Sequence, residues 1–107
     1  MKKYILIFSL LILPLFAHAE TTVSQTIDRI QIQGHASGGT YYYFYNATGW
    51  GAASCPNSVY AYMKSDDPGA KEMLQLGIEA KKIGAKVKFH GDCAGSAYVR
   101  VNYMYFE

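Results

Sequence analysis

One stretch of this sequence, from Asp66 to Gly84, carries the signals of a single helix at both of its ends. Asp66 and Asp67 offer side-chain acceptors to the free N–H groups of a first turn, and Pro68 suits the first helical position. Gly84 can take the left-handed conformation that ends a helix. Apolar residues recur between these ends at helical spacing, so we expect one face of the helix to pack on a sheet.

Five segments with the composition of β-strands flank this helix, three before it and two after it. They cover residues 27–34, 40–46, 57–64, 85–90 and 97–106. Residues 21–26 are polar, and no strand is expected there. One face of the last strand should hold Val99, Val101, Tyr103 and Tyr105. The order β-β-β-α-β-β is that of an OB-fold, so we predict a mainly β domain with one helix and a closed, five-stranded OB-like barrel.

The first 19 residues have the composition of a signal peptide. A basic start, Met1-Lys2-Lys3, precedes an apolar run, and Ala17-His18-Ala19 has the small-x-small form of a cleavage site. The run is short for a membrane span of about 20 residues, although an uncleaved anchor is the alternative. We therefore expect cleavage after Ala19, a secreted or periplasmic protein, and one binding domain over residues 20–107.

The net charge of the chain comes from its first residues. Ten lysines and arginines stand against eight aspartates and glutamates, a formal charge of +2. Lys2 and Lys3 precede the expected cleavage point, so the remainder keeps eight basic and eight acidic residues and is neutral. A neutral surface does not attract nucleic acid or anionic membranes from a distance. We expect neither a nucleic acid nor, after cleavage, a membrane as partner.

Two cysteines, Cys55 and Cys93, remain after the expected cleavage. In an oxidising compartment a disulfide between them is the simplest interpretation. It would close a loop of 39 residues, counting both cysteines, which stabilises a domain by about 4 kcal/mol through the entropy of the unfolded chain. A metal pair or a reactive thiol is the alternative, but the histidines show no zinc-like spacing. We expect no metal and no cofactor.

Residue types that perform catalysis are present, but they do not occur in a recognisable catalytic motif. His35 and His90 could act as bases, and nearby aspartates and serines could serve as acids or nucleophiles. No nucleophile elbow and no metal-binding helix motif occurs in the sequence. We therefore expect a protein that is not an enzyme.

The aromatic residues indicate a binding surface. Five consecutive aromatic residues, 41–45, lie on the second predicted strand, and Trp50 follows in a glycine-rich loop. Alternation sends three tyrosines to one face, and such rings either pack within the fold, stack on sugar rings or contact a protein. The candidate ligand-binding residues are Tyr41, Tyr43, Tyr45 and Trp50 for stacking, with Asn46 and His35 as hydrogen-bonding groups.

The segment DDPGAKEMLQLGIEAKKIGAKVKFHGDC, with a cysteine before the preceding strand, resembles a group of small exported bacterial proteins of mostly unknown role. It is also similar to the B subunits of subtilase cytotoxin and related pertussis-like toxins. That resemblance covers roughly residues 55–103 and implies an OB-type barrel, a pentameric ring and binding of sialylated glycans. None of the toxins' sugar-contacting residues finds a matching motif here.

Together these features predict an exported, non-enzymatic binding domain, with a toxin-B-like, glycan-binding subunit as the leading interpretation. The alternative is a periplasmic protein-interaction module, such as an inhibitor of a hydrolase, in which the exposed aromatic residues form a protein interface.

Overall fold

The computed structural model describes residues 19–35 and 37–107, with His35 described by its backbone alone. The expected signal peptide, apart from Ala19, lies outside the described residues. The chain forms six strands and one helix, in the order β-β-β-β-α-β-β. The elements are β1 Glu20–Thr21, β2 Arg29–His35, β3 Gly39–Tyr45, β4 Tyr60–Lys64, α1 Ala70–Ile83, β5 Val87–Cys93 and β6 Tyr98–Phe106.

The mainly β architecture with one helix is confirmed, but the strand count is six because β1 forms in a segment without a strand pattern. Glu20 and Thr21 pair with β5, so this short strand exists through its tertiary partner and not through its composition. The six strands form one sheet in the order β1-β5-β6-β4-β3-β2. Neighbours are antiparallel except for the parallel pair β4 and β6.

The expected barrel is not closed. β1 and β2 lie at the two edges of the sheet, and the pairings among residues 19–35 and 37–107 include no ladder between them. The segment that joins the two strands is divided between the edges. Gln25 bridges Val87 of β5, whereas the N–H of Asp28 donates to the carbonyl of Tyr45 on β3. This segment therefore bonds first to β5 and then to β3, and it does not join β1 to β2 into a closed barrel.

The core lies between the inner face of the sheet and α1. Phe44 and Phe89 stack with ring centroids 5.6 Å apart, and Trp50 meets Phe89 edge-on at 4.8 Å. All three rings are fully buried. Gly77 allows the helix to approach this cluster, since a Cβ there would lie 2.5 Å from Cζ of Phe44.

The two ends of α1 differ in how well the sequence predicts them. The C-terminal end is confirmed: Gly84 has φ 69°, and its N–H donates to the carbonyl groups of Ala80 and Lys81. The N-terminal prediction is wrong, because the helix begins at Ala70 and its cap residue is Gly69, with φ 76° and no side-chain cap. The carboxylate of Asp67, which the sequence predicts as a helix cap, accepts hydrogen bonds from other groups instead.

A β-bulge changes which residues of β6 face inward. His90 pairs with Tyr103 and Gly91 pairs with Val101, so Asn102 is an extra residue on β6. The four-residue face predicted for this strand is therefore wrong beyond Val101. Tyr103 is 61% exposed, and the inward positions pass to even-numbered residues such as Met104, opposite the buried Phe89.

The predicted disulfide is confirmed. Cys55 and Cys93 are bonded, with Cα atoms 5.9 Å apart. The bond joins the loop before β4 to the end of β5, beside the buried Ala52 and Val99. It therefore fixes the start of the turn that leads into β6.

Candidate functional site: the tyrosine face

Three strands place six tyrosines on the outer face of the sheet, the side opposite α1. We call this surface the tyrosine face; its members are Tyr41, Tyr43 and Tyr45 on β3, Tyr60 and Tyr62 on β4, and Tyr98 on β6. Register brings them together, since Tyr43 lies opposite Tyr62 and Tyr60 lies beside Tyr98. Alternation along β3 and β4 leaves Phe44 and Met63 for the core.

Tyr43 is the centre of this surface. Its ring lies 5.7 Å from that of Tyr60, 5.9 Å from Tyr62 and 6.3 Å from Tyr98, measured between centroids. Such spacings are those of favourable aromatic pairs. The tyrosines are half-buried by one another or exposed, as Tyr98 is at 38%. Each therefore keeps ring surface for a ligand.

A pocket of about 370 Å³ opens on this face, lined by Gln33, Tyr41, Tyr43, Tyr62, Ala94 and Tyr98. The hydroxyl of Tyr43 donates to Oε1 of Gln33 at 2.8 Å. This bond holds the Gln33 amide group against the rings and uses its carbonyl oxygen. Its amide nitrogen remains a donor group at the pocket, next to phenolic hydroxyls that donate and accept.

Burial and the neighbouring phenols keep the Tyr43 hydroxyl protonated. Burial is the largest cause that raises the pKa of Tyr43, and the nearby hydroxyls of Tyr98, Tyr41, Tyr62 and Tyr60 raise it further. The hydroxyl that donates to Gln33 is therefore neutral at physiological pH.

Cations lie at the rim of the tyrosine face. The guanidinium of Arg29 lies 4.2 Å from the Tyr45 ring centroid, and Nζ of Lys64 lies 5.8 Å from that of Tyr41. These are cation–π distances. Such contacts hold the outer tyrosines in place and add positive charge beside the pocket.

Arg100 closes the remaining side of the rim through an ion pair. Its Nη2 atom donates to both carboxylate oxygens of Asp67, at 2.7 and 2.9 Å, and its guanidinium lies 5.7 Å from the Tyr62 ring centroid. Burial is the largest single cause and lowers the pKa of Arg100, but the hydrogen bond to Asp67, the charge of Asp67 and the contact with Tyr62 together outweigh it, and the pKa is raised. Asp67 also accepts from the N–H of Lys64 at 3.0 Å. Asp67, which the sequence predicts as a helix cap, therefore holds Arg100 in place at the rim of the tyrosine face.

The other candidate ligand residues are placed elsewhere. Trp50 is fully buried, with Nε1 donating to the carbonyl of Phe44 at 3.1 Å, so its ring offers no surface for stacking. Asn46 is 4% exposed; its amide donates to the carbonyl of Thr26, and its Oδ1 accepts from the N–H groups of residues 48 and 49. Asn46 therefore shapes a turn. The side chain of His35 lies outside the described part of the chain.

Among the candidate catalytic residues whose side chains the structure describes, His90 lies apart from the tyrosine pocket. Nδ1 of His90 lies 2.9 Å from Oγ1 of Thr21, and its ring lies 5.5 Å from that of Tyr103, on strands away from the tyrosine pocket. Over residues 19–35 and 37–107, no three histidine, cysteine, aspartate or glutamate side chains are grouped to hold a metal ion. The arrangement around Tyr43 consists of aromatic rings, phenolic hydroxyls and rim cations.

Sequence reasoning named the tyrosines of β3 but missed their neighbours. Tyr60 and Tyr62 carried a usable signal, because they alternate with the apolar Ala61 and Met63. Tyr98 joins them only through the parallel pairing of β4 with β6, which local sequence does not show. Gln33 reaches the pocket through its pairing with Tyr41 across the first hairpin.

Within the part of the chain that the structure describes, α1 is too short and too polar to cross a bilayer, and no other helix there could do so. Comparison with known proteins adds no relative, since no family model, curated protein or solved structure matches this chain.

Proposed function

We propose that this protein is an exported, non-enzymatic binding domain that recognises a glycan on its tyrosine face. The observation that carries the proposal is the pocket around Tyr43, walled by tyrosine rings and bearing the Gln33 amide. Export is the expectation from the N-terminal sequence, and the disulfide is compatible with an oxidising compartment.

Tyrosine suits sugar because each ring presents an apolar face with a hydroxyl at its edge. Sugar rings have the complementary form, with C–H groups on their faces and hydroxyls around the rim. The pocket offers ring surface from Tyr41, Tyr62 and Tyr98 with Tyr43 between them. The Gln33 amide and the phenols supply hydrogen bonds, so binding needs no covalent chemistry.

The resemblance to toxin B subunits supports the same ligand class, and the pentameric ring that it implies is the alternative to the dimer proposed below. A ring would present several weak sugar sites at once, and multivalent binding strengthens such contacts without new interactions. The pentamer is tested by the solution mass of the oxidised protein.

A protein partner is the second candidate function. The tyrosine face spans three strands and carries cations at its rim, and tyrosine and arginine are enriched where proteins make their strongest contacts. A periplasmic hydrolase bound by this surface would be inhibited by occlusion. The two candidates share the surface and differ in the ligand.

The experiment is a glycan array probed with the oxidised wild-type protein, followed by calorimetric titration of the best glycan. Tyr43→Ala should weaken binding at least about tenfold, which is a loss of about 1.4 kcal/mol. The matched control is Tyr103→Ala, which removes an exposed tyrosine that lies outside the pocket and should leave affinity unchanged.

Two results would count against glycan recognition. One is a wild-type protein that binds no glycan on the array; the other is equal binding by the wild type and Tyr43→Ala. If a single stoichiometric protein is then captured from periplasmic extract, and if capture is lost in Tyr43→Ala but kept in Tyr103→Ala, the protein-partner candidate replaces it.

A further inference from the structure

The sheet ends on one side at β2, a long and regular edge strand. All seven of its residues pair with β3, from Arg29 opposite Tyr45 to His35 opposite Gly39, without a register shift. No strand in the described residues pairs with its other side. The opposite edge, β1, is only two residues long. The free edge of β2 is thus the larger by far.

Edge strands of soluble proteins are usually protected by charged side chains, especially lysines, or by prolines, bulges or short length. The sequence of β2, RIQIQGH, has one charged residue, Arg29 at its start, and neither lysine nor proline, and its ladder with β3 has no bulge. Residues 31–34 are all exposed, and Ile32 is 57% exposed although it is apolar. An unprotected edge of this kind is suited to pairing with another strand.

We propose that β2 pairs antiparallel with β2 of a second copy of this chain, about a two-fold axis that passes through Gln31. In this register Gln31 lies opposite its own counterpart, Ile30 lies opposite Ile32, and Arg29 lies opposite Gln33. The surface is the same on both copies, as a two-fold interface requires.

The side-chain pattern of β2 is self-complementary in this register. Ile30 and Ile32 share the inner side of the sheet, since they pair with Phe44 and Tyr42, so each isoleucine meets an isoleucine and the exposed Ile32 is covered. On the outer side glutamine meets glutamine and Arg29 meets an uncharged amide, so no like charges oppose one another. A shift by one residue would set isoleucine against glutamine.

This self-complementary pattern is the reason to propose a second copy of the chain, and not an unrelated peptide, as the partner of β2. Pairing of this kind joins two sheets edge to edge and keeps both tyrosine faces on the same side. It also brings Arg29 of the second copy next to Gln33, which lines the tyrosine pocket. If the proposed glycan function holds, the dimer presents two pockets in one plane and binds a multivalent surface more tightly.

The test is the solution mass of the oxidised protein by sedimentation over a concentration series. A single strand pair is a small interface, so we expect dissociation in the micromolar range, with a mass of two chains at about 100 μM. Gln31→Lys and Gln31→Glu each place like charges on the axis and should be monomeric there. Gln75→Lys, on the exposed side of α1, is the matched control and should remain dimeric.

Mixing the two charged variants is the decisive measurement, because Lys opposite Glu on the axis should restore a dimer of two chains. Unfolding temperatures equal to that of the wild type, measured at a concentration well below the dissociation constant where every protein is monomeric, would show that the fold of each variant is intact. A wild type that stays monomeric at about 100 μM, a ring of five chains, or a mixture that stays monomeric would each overturn the two-fold β2 interface. None of these results depends on a glycan, so the dimer and the proposed function fail separately.

Discussion

The two faces of this sheet are both rich in aromatic residues, yet they have opposite roles. The same strand, β3, sends Phe44 to the inner face, where it is fully buried, and Tyr43 to the outer face, where it is partly exposed. Inner rings pack against α1 and against each other. Outer rings touch mainly other tyrosines and the flexible side chains of cations.

The two faces differ in whether a helix covers them and not in their aromatic content. α1 lies over the inner face, and the fully buried rings of that face carry no hydroxyl. Tyr42 lies on the same face, carries a hydroxyl and is 8% exposed. The outer face is made of phenols, whose hydroxyls can bond water where they are exposed, and that of Tyr43 bonds Gln33. This uncovered surface of rings is the basis of the proposed binding role.

Truncation of one ring on each face gives the sharpest contrast. Phe44→Ala should cost about 3–5 kcal/mol of unfolding free energy, since it removes a fully buried ring and leaves a cavity. Tyr43→Ala should cost about 1 kcal/mol, because its ring is partly exposed. Urea unfolding of the oxidised proteins measures both. Equal losses would show that the outer tyrosines are a second core and would undermine the comparison.

Gly77 tests how tightly α1 covers the inner face. Alanine normally stabilises a helix by up to about 1 kcal/mol relative to glycine. Here its Cβ would collide with the ring of Phe44, so Gly77→Ala should instead destabilise the protein by about 1–3 kcal/mol.

The matched control for Gly77→Ala is Gln75→Ala, an exposed position on the same helix that should change stability by only a few tenths of a kcal/mol. Thermal unfolding compares the two variants. A gain in stability from Gly77→Ala would mean that the helix can move away from the sheet.

The smallest expected effect is a pH dependence specific to the outer face. The folded state raises the pKa of Tyr43 above 10.0, so it holds the phenolic proton more tightly than the unfolded chain does. This stability is fully present below pH 10 and is lost as the pH rises through the folded pKa. Tyr43→Phe should therefore flatten the fall in urea midpoint above about pH 10.

Tyr103→Phe is the reference for that titration, since Tyr103 is well exposed and lies outside the tyrosine pocket. A fall in urea midpoint that is flattened in Tyr43→Phe but kept in Tyr103→Phe would assign the effect to the tyrosine face. Identical curves for Tyr43→Phe and the wild type would show that the packed phenols do not couple to folding.

Local pattern was sufficient for the elements whose partners are near in sequence. Gly84 ends α1 because a left-handed glycine is a local requirement, and alternation alone divided Tyr43 from Phe44. Local pattern failed where a residue bonds to a partner that is distant in the sequence. The carboxylate of Asp67 was expected to cap the helix, but it bonds Arg100, which lies 33 residues away.

Trp50 shows the same limit within the candidate site. A tryptophan in a glycine-rich loop suggests an exposed ring, yet it packs on Phe89 and donates to the carbonyl of Phe44. Its burial depends on β5, which begins 37 residues later in the chain. No spacing in the loop reveals that contact.

The sequence by itself determined the mainly β composition, the single helix with its C-terminal glycine, the cysteine pair and the division of β3 into two aromatic faces. These follow from periodicity, backbone preference and the chemistry of two thiols. Only the tertiary structure decided the strand order, the bulge at Asn102, and the meeting of Tyr98 with Tyr43. Those features depend on which strands pair and in what register, and the free energy of that choice is spread over contacts that are distant in the chain.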